Sequence, residues 1–205
     1  MTFRTIKELN ARVGIEPRAV IQSAPESSEK ERFLHLLDNY SDALIRTCRP
    51  GHLTGSSLVF DPFSGQILML FHSKLQKWLQ PGGHADGDGD LARVALREAI
   101  EETGIPNLRV LDEVVDLDIH EVNPPKEDRH EHYDARFLVV APEGTTPKGN
   151  HESQELRWIN VEDLHLLKVD SSVCRLTKRA LDRFEEIQTT HFIKNHPDQD
   201  RNLNR

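Results

Sequence analysis

The sequence predicts an α/β domain in which a mixed sheet lies between helices, preceded by a helical extension. Three observations carry this. Two short apolar runs, His52 to Phe60 and Gln66 to Phe71, flank Asp61-Pro62-Phe63-Ser64-Gly65, a turn by composition, and so read as a hairpin. A glycine- and aspartate-rich loop then feeds one helix that begins after Asp88 or Asp90 and stops at Gly104. Further β-branched runs follow, and a second amphipathic helix closes the series from Asp170 or Ser171 to about Gln188.

Taken in order, residues 1–26 carry Phe3, Ile6, Leu9 and Val13 at loose helical spacing, interrupted by Gly14, Pro17 and Pro25. A short helix and linker is expected, serving as a homodimer contact or left as a poorly ordered tail. Phe33, Leu37, Tyr40 and Leu44 recur at three- and four-residue steps, which makes an amphipathic helix ending before Pro50. Ser28 and Glu31 have the spacing of a capping box at its start. Leu108 to Val122 reads as one long or bent strand, His130 to Ala141 as another, and Gln154 to Ile159 as a short one. The expected partition is residues 1–49 as the extension, 50–190 as the domain and 191–205 as a polar tail.

Composition excludes several classes. Of 205 residues, 37% are hydrophobic and 29% charged, which suits a globular chain with a modest core. The net charge of -8 argues against nucleic-acid binding, which needs a basic surface. No apolar run reaches membrane-spanning length, and the first residues contain no apolar signal core. The two cysteines, Cys48 and Cys174, stand in no paired motif, so a disulfide framework is not expected and a reducing cytoplasm fits.

The chemistry concentrates in the loop and helix from Gln80 to Ile105. Asp88 or Asp90 can cap the helix. Glu98 and Glu102 lie nearly above one another at roughly 100° per residue, with Arg97 and Glu101 beside them and Ala92, Leu96, Ala99 and Ile100 opposite. Three adjacent carboxylates repel one another, and a cation should offset that. A hard divalent ion such as Mg²⁺ or Mn²⁺ suits oxygen donors and keeps waters that a phosphate replaces. The glycines before the helix let backbone approach the same place.

This segment resembles the Nudix box. Gly83 takes its first position, and Arg97-Glu98-Ala99-Ile100-Glu101-Glu102-Thr103-Gly104-Ile105 takes its last nine. One position departs, since Gly89 stands where the box has its first glutamate, between Asp88 and Asp90. The resemblance implies a Nudix-type α/β/α sandwich and a Mg²⁺- or Mn²⁺-dependent pyrophosphohydrolase. Its metal set would be Glu98, Glu101, Glu102 and a backbone carbonyl near Gly82 or Gly83. Arg97 would hold one of the glutamates, and Glu101 would be a further ligand or orient the attacking water. Glu152 or Glu155 would supply a downstream carboxylate.

Four further groups stand out. His130, His132 and Asp134 alternate along a strand and so share a face. Such an array can bind a transition metal, contact a substrate phosphate or stay solvated. Because the matching strand of a Nudix fold borders the cleft, a substrate-facing role is expected. His84, Asp86 and Asp88 lie in the box loop, where Asp also serves turns. Lys74, Lys77, Arg129 and Arg136 have the charge to engage a diphosphate. Trp78, Tyr133 and Phe137 are the aromatic residues on which a base would stack, in a chain only 6% aromatic. The expected substrate is a nucleoside diphosphate joined to another group, a nucleotide sugar or ADP-ribose first. A nucleoside triphosphate, or a ligand-binding module without turnover, is the alternative. An isomerase of the same fold is disfavoured, because neither cysteine sits in the setting its catalytic thiol requires.

Overall fold

A computed structural model describes residues 2–73, 75–124, 127–149 and 153–195. The chain opens with β1 (Phe3–Thr5), α1 (Ile6–Asn10), α2 (Pro17–Gln22) and α3 (Ser28–Asn39). The central strand β2 (Gly51–Asp61) turns into β3 (Gln66–His72), followed by β4 (Lys77–Leu79), β5 (Gly82–His84) and α4 (Leu91–Thr103). Then come β6 (Arg109–Leu111), β7 (Asp116–Val122), β8 (His130–Val140), β9 (Ser153–Asn160), a 3₁₀ segment (Val161–Leu166) and α5 (Ser171–Asn195).

The strands form one mixed sheet, ordered β1-β6-β8-β2-β3-β4, with β5 joined to β2, β7 to β8 and β9 to β3. Its centre is the parallel pair β2 and β8, in register from Gly51 opposite Glu131 to Phe60 opposite Val140. Side chains alternate across this pair. Leu53, Val59, Tyr133, Phe137 and Val139 join the core under the N-terminal helices and α4, while Leu58, Phe60 and Leu138 join the core under α5. The sheet is thus buried between two helical layers, as expected.

The departures have local causes. The 108–122 run breaks into two strands, because β6 pairs with β1 and β8 whereas β7 pairs with the earlier part of β8. The α3 cap is Ser27, whose hydroxyl accepts the Lys30 amide, rather than Ser28, and the helix ends at Asn39, so Tyr40 and Leu44 of the expected stripe lie beyond it. The first residues do more than form a helix and linker. Thr5 closes a capping box with Glu8, Phe3 lies in a strand against Leu111, and Leu9 and Ile21 are fully buried. Phe3, Ile6 and Leu9 pack against the rest of the chain, whereas Val13 is exposed. The tail beyond residue 195 lies outside the described residues.

Candidate functional site

The α4 helix starts and stops as its sequence dictates. The Asp90 carboxylate accepts the Arg93 amide at the N-cap, and Gly104 ends the helix at φ 63°, in the left-handed region. Its apolar face (Leu91, Val94, Ala95, Ala99) packs on β2 so tightly that a Cβ on Gly55 would lie 2.9 Å from the Leu91 carbonyl oxygen. The opposite face leans on β5. A Cβ on Gly83 would stand 2.5 Å from the Glu98 carboxylate carbon, so only glycine lets this backbone meet that carboxylate. The Gly82 amide donates to Glu102 Oε2 at 2.9 Å, and Glu102 is buried. Arg97 donates to Glu98 Oε1 at 2.9 Å and to the His84 carbonyl at 3.3 Å. Glu101 is exposed on the same side. The structure therefore brings Gly83, Arg97, Glu98 and Glu102 together, with Glu101 at their outer edge. Glu152 lies outside the described residues, and Glu155 pairs with Arg157 at 2.5 Å.

Gly89 has a structural reason. A Cβ there would stand 2.4 Å from the Ile15 carbonyl oxygen and 3.0 Å from Pro17 Cδ. The N-terminal extension crosses the box loop at this point and leaves no room for a glutamate. Asp88 turns inward instead, accepting Arg93 Nε at 2.7 Å and Nη2 at 2.6 Å, with Arg97 Nη1 3.9 Å away. Arg93 also donates to the Leu9 carbonyl at 2.9 Å, tying the extension to the box. Asp86 pairs with Arg46.

The parallel register sets His52 beside His132 and Thr54 beside Asp134, and β5 sets His84 beside Thr54. One consequence was legible in the sequence: His130, His132 and Asp134 do share a face. His130 and His132 do not stand out in solvent, however. The His52 ring lies 5.1 Å from His84, 4.9 Å from His130 and 4.9 Å from His132, with His84 5.2 Å from His132 and His120 5.5 Å from it. Burial and the neighbouring rings push the His52 pKa down to about 4 and that of His132 down to about 2, so both imidazoles are neutral near pH 7. Burial likewise lowers His84. Sequence reasoning missed His52 and His120. The signal for His52 was its place in the polar alternation His52, Thr54, Ser56 of β2; His120 had none, because only strand pairing brings it near.

Arg136 is a correction. Expected to engage a diphosphate, it is 2% exposed and committed to Asp134 (2.9 Å), Asp118 (2.9 Å) and Ser172. Asp116 and Asp118 also accept from Arg175 of α5 at 3.1 and 2.6 Å. Although burial alone would raise the Asp118 pKa, its bond with His120 and the Arg136 and Arg175 charges hold it below the usual carboxylate range. Asp134 further accepts the Thr54 and Ser56 hydroxyls at 2.9 and 2.6 Å. This buried network fastens α5 to the sheet. Of the other expected cations, Lys77 is exposed, Arg129 pairs with Glu121, and Lys74 lies outside the described residues. None of the three aromatic residues offers an open face. Phe137 is in the core, the Tyr133 hydroxyl bonds Glu131, and the Arg157 guanidinium covers Trp78 at 4.9 Å. Cavities of 310 Å³ beside Phe3, Phe63 and Phe184 and of 200 Å³ beside Arg12 and Asp112 are not lined by the box carboxylates.

A sheet between helical layers, with a glycine strand holding the carboxylates of one helix, is the architecture of Nudix hydrolases. The fold is shared with a hydrolase of the NUDIX family from Clostridium perfringens (22% identity, TM-score 0.55). It is also shared with an Ap4A hydrolase from C. elegans in a binary complex (19%, 0.53). Each alignment covers 65% of this chain and 97% of the other. The NUDIX domain of NrtR from Shewanella oneidensis, in complex with ADP ribose, aligns at 17% identity over 73% of this chain and 97% of its own, with a TM-score of 0.50. No curated protein matches the sequence. Residues 52–179 match the family model for the NUDIX domain, well over half of the chain. The chain belongs to the NUDIX family and is an enzyme of the Nudix hydrolase kind. Among the described residues no helix is long and apolar enough to cross a membrane.

Proposed function

We propose that this chain hydrolyses a diphosphate linkage within a nucleoside diphosphate joined to another moiety, a nucleotide sugar or ADP-ribose before a nucleoside triphosphate, with Mg²⁺ or Mn²⁺ as cofactor. The observation that carries the reading is the Glu98 carboxylate held against the Gly83 backbone with Arg97 on its other oxygen. The ADP ribose carried by the NrtR domain supports that choice of substrate.

The donor set is all oxygen: Glu98, Glu102, Glu101 and the carbonyls of the Gly82-Gly83 strand. It fits a hard divalent cation and not a soft one. When bound, such an ion supplies charge neutralisation for the diphosphate and a more acidic water. Glu98 and Glu102 would hold it from two successive turns of one helix. Arg97 keeps Glu98 in a single orientation by a charge-assisted bond, so its carboxylate is ordered before substrate arrives. The Gly82 amide does the same for Glu102. Glu101, at the exposed edge, orients the water. The water oxygen joins one phosphorus, the bridging P–O bond breaks, and two phosphate-ended products leave. Glu152 is the downstream carboxylate of this scheme. The His84 carbonyl accepts from the same Arg97 nitrogen that bonds Glu98. Two cysteines without a disulfide, Cys48 and Cys174, agree with a cytoplasmic setting.

The test is turnover of ADP-ribose, a UDP-sugar, a dinucleoside polyphosphate and a nucleoside triphosphate with Mg²⁺ or Mn²⁺, beside Glu98→Gln and Glu102→Gln. Metal-dependent cleavage of one of the first two compounds, lost in both variants, is expected. Unchanged rates in both variants would reject the carboxylate assignment.

A further inference from the structure

The histidine cluster on the other face of β5 has an unpaid hydrogen-bonding account. Four ring nitrogens in it are buried without a partner: Nδ1 and Nε2 of His52, Nε2 of His130 and Nε2 of His132. His52 is fully buried and His130 is 3% exposed. A buried polar atom left unpaired costs about 1–3 kcal/mol, and a neutral imidazole carries one N–H and one lone pair, so these rings leave unmatched lone pairs in one place that call for something to accept them.

The tautomer of His130 tells which atom is offered. Its Nδ1 lies 2.6 Å from the Asp128 carbonyl oxygen, which only accepts, so Nδ1 carries the proton and Nε2 presents a bare lone pair. A backbone carbonyl on the far nitrogen is the usual support of a metal-bound imidazole, fixing both its tautomer and its orientation. One ring nitrogen from each of His52, His130 and His132 lies within 4.8 Å of the others. Nitrogens bound to one zinc at 2.0–2.1 Å sit roughly 3.3 Å apart in a tetrahedron. Small ring rotations close that difference. The strands need not move, because His52 and His132 face each other in the parallel register of β2 and β8.

We propose that His52, His130 and His132 form a binding site for a transition-metal ion of the zinc class, separate from the oxygen site on α4. Imidazole nitrogens select zinc, cobalt, nickel or copper and not magnesium. Three imidazoles leave a coordination position open, and the His84 ring lies beside it, against both His52 and His132. Neighbouring carboxylates do not fill the role. Asp134 is committed to Thr54, Ser56 and Arg136, and Asp118 to His120, Arg136 and Arg175.

The experiment uses the full chain, stripped with a chelator and titrated with Co²⁺ alone, then Zn²⁺ alone. One equivalent of Co²⁺ with the visible ligand-field spectrum of a nitrogen-rich low-coordinate site is expected, displaced by Zn²⁺. The spectrum should persist in Glu98→Gln and Glu102→Gln, which separates this site from the carboxylate site. It should weaken by roughly 100-fold or more in affinity in His132→Asn and in His130→Gln, because removing a ligand exceeds the loss seen for outer-shell partners. Near-ultraviolet circular dichroism checks that each variant is folded. If His130→Gln does not fold, His132→Asn and the wild-type spectrum decide. No such spectrum in the wild type, a water as the sole occupant at high resolution, or Co²⁺ binding that follows the glutamates and not the histidines would overturn the proposal.

Discussion

Adding a single methyl group at Gly83 separates the site's chemistry from its stability. In Gly83→Ala the new Cβ would stand 2.5 Å from the Glu98 carboxylate carbon and from Oε2, and 2.9 Å from Oε1. Ordinary contact needs about 3.5 Å, so the carboxylate must retreat by about 1 Å. It can do so, because it is the far end of a flexible side chain and not backbone. Folding should therefore suffer by no more than about 1 kcal/mol, the cost of one off-rotamer side chain. Catalysis should suffer far more, since a misplacement of about 1 Å can cost on the order of 100-fold. The assays are Mn²⁺ binding followed by electron paramagnetic resonance, turnover with the preferred diphosphate, and thermal unfolding. Wild-type Mn²⁺ affinity and turnover in a folded Gly83→Ala protein would refute the placement of Glu98 at the metal.

Three further outcomes follow from the same geometry. Gly89→Glu restores the residue the box pattern has at this position yet should destabilise by about 1–3 kcal/mol, the range for overpacking, because its Cβ meets the Ile15 carbonyl at 2.4 Å; a denaturant midpoint at or above wild type would contradict the crossing of the extension there. Arg136→Met leaves Asp116, Asp118 and Asp134 buried without their shared cation and should cost about 3–5 kcal/mol in urea unfolding, and a neutral result would show the network to be dispensable. For His52, burial and the neighbouring rings hold the folded pKa at about 4, below the ordinary imidazole value of 6.5, so the unfolded chain binds the proton first. Stability of metal-free protein is then full above pH 6.5 and is lost as pH falls towards 4, by about 3 kcal/mol from this group. Equilibrium unfolding between those limits checks it, and a flat profile would contradict a buried neutral ring.

Much of this was readable from residue order, and the remainder fails for identifiable reasons. The box helix, its Gly104 stop and the grouping of Arg97 with Glu98 are local, so spacing alone exposes them, and it narrows the cap to Asp88 or Asp90, of which Asp90 serves. The β2–β3 turn is local too. What could not be read depends on pairing between distant strands. Arg136 reads as one more surface cation until β7 and β8 set Asp116 and Asp118 around it. His52 joins His132 only through a parallel register spanning some eighty residues of sequence. Gly89 looks like a decayed catalytic position until Ile15 is seen against it. In each case a chemically ambiguous side chain is decided by a neighbour far away in the chain.

The short strand β5 is where these threads meet, because alternation makes its two faces do different things. Gly83 points to α4 and accepts the Glu98 carboxylate at close range, whereas His84 points the other way into the ring cluster. A strand of three residues thus stands between an oxygen-rich site and a nitrogen-rich one. Arg97 couples them, since one nitrogen donates both to Glu98 and to the His84 carbonyl. Anything that shifts β5, whether an ion drawn in by the histidines or a substituent at Gly83, must move the acceptor of Arg97 and with it the orientation of Glu98. Zinc occupancy on one face should therefore change Mn²⁺ affinity on the other, and by linkage the reverse change must be equal in size. Titrating Mn²⁺ with and without one equivalent of Zn²⁺ measures that coupling; identical affinities would mean that β5 is too stiff to transmit it.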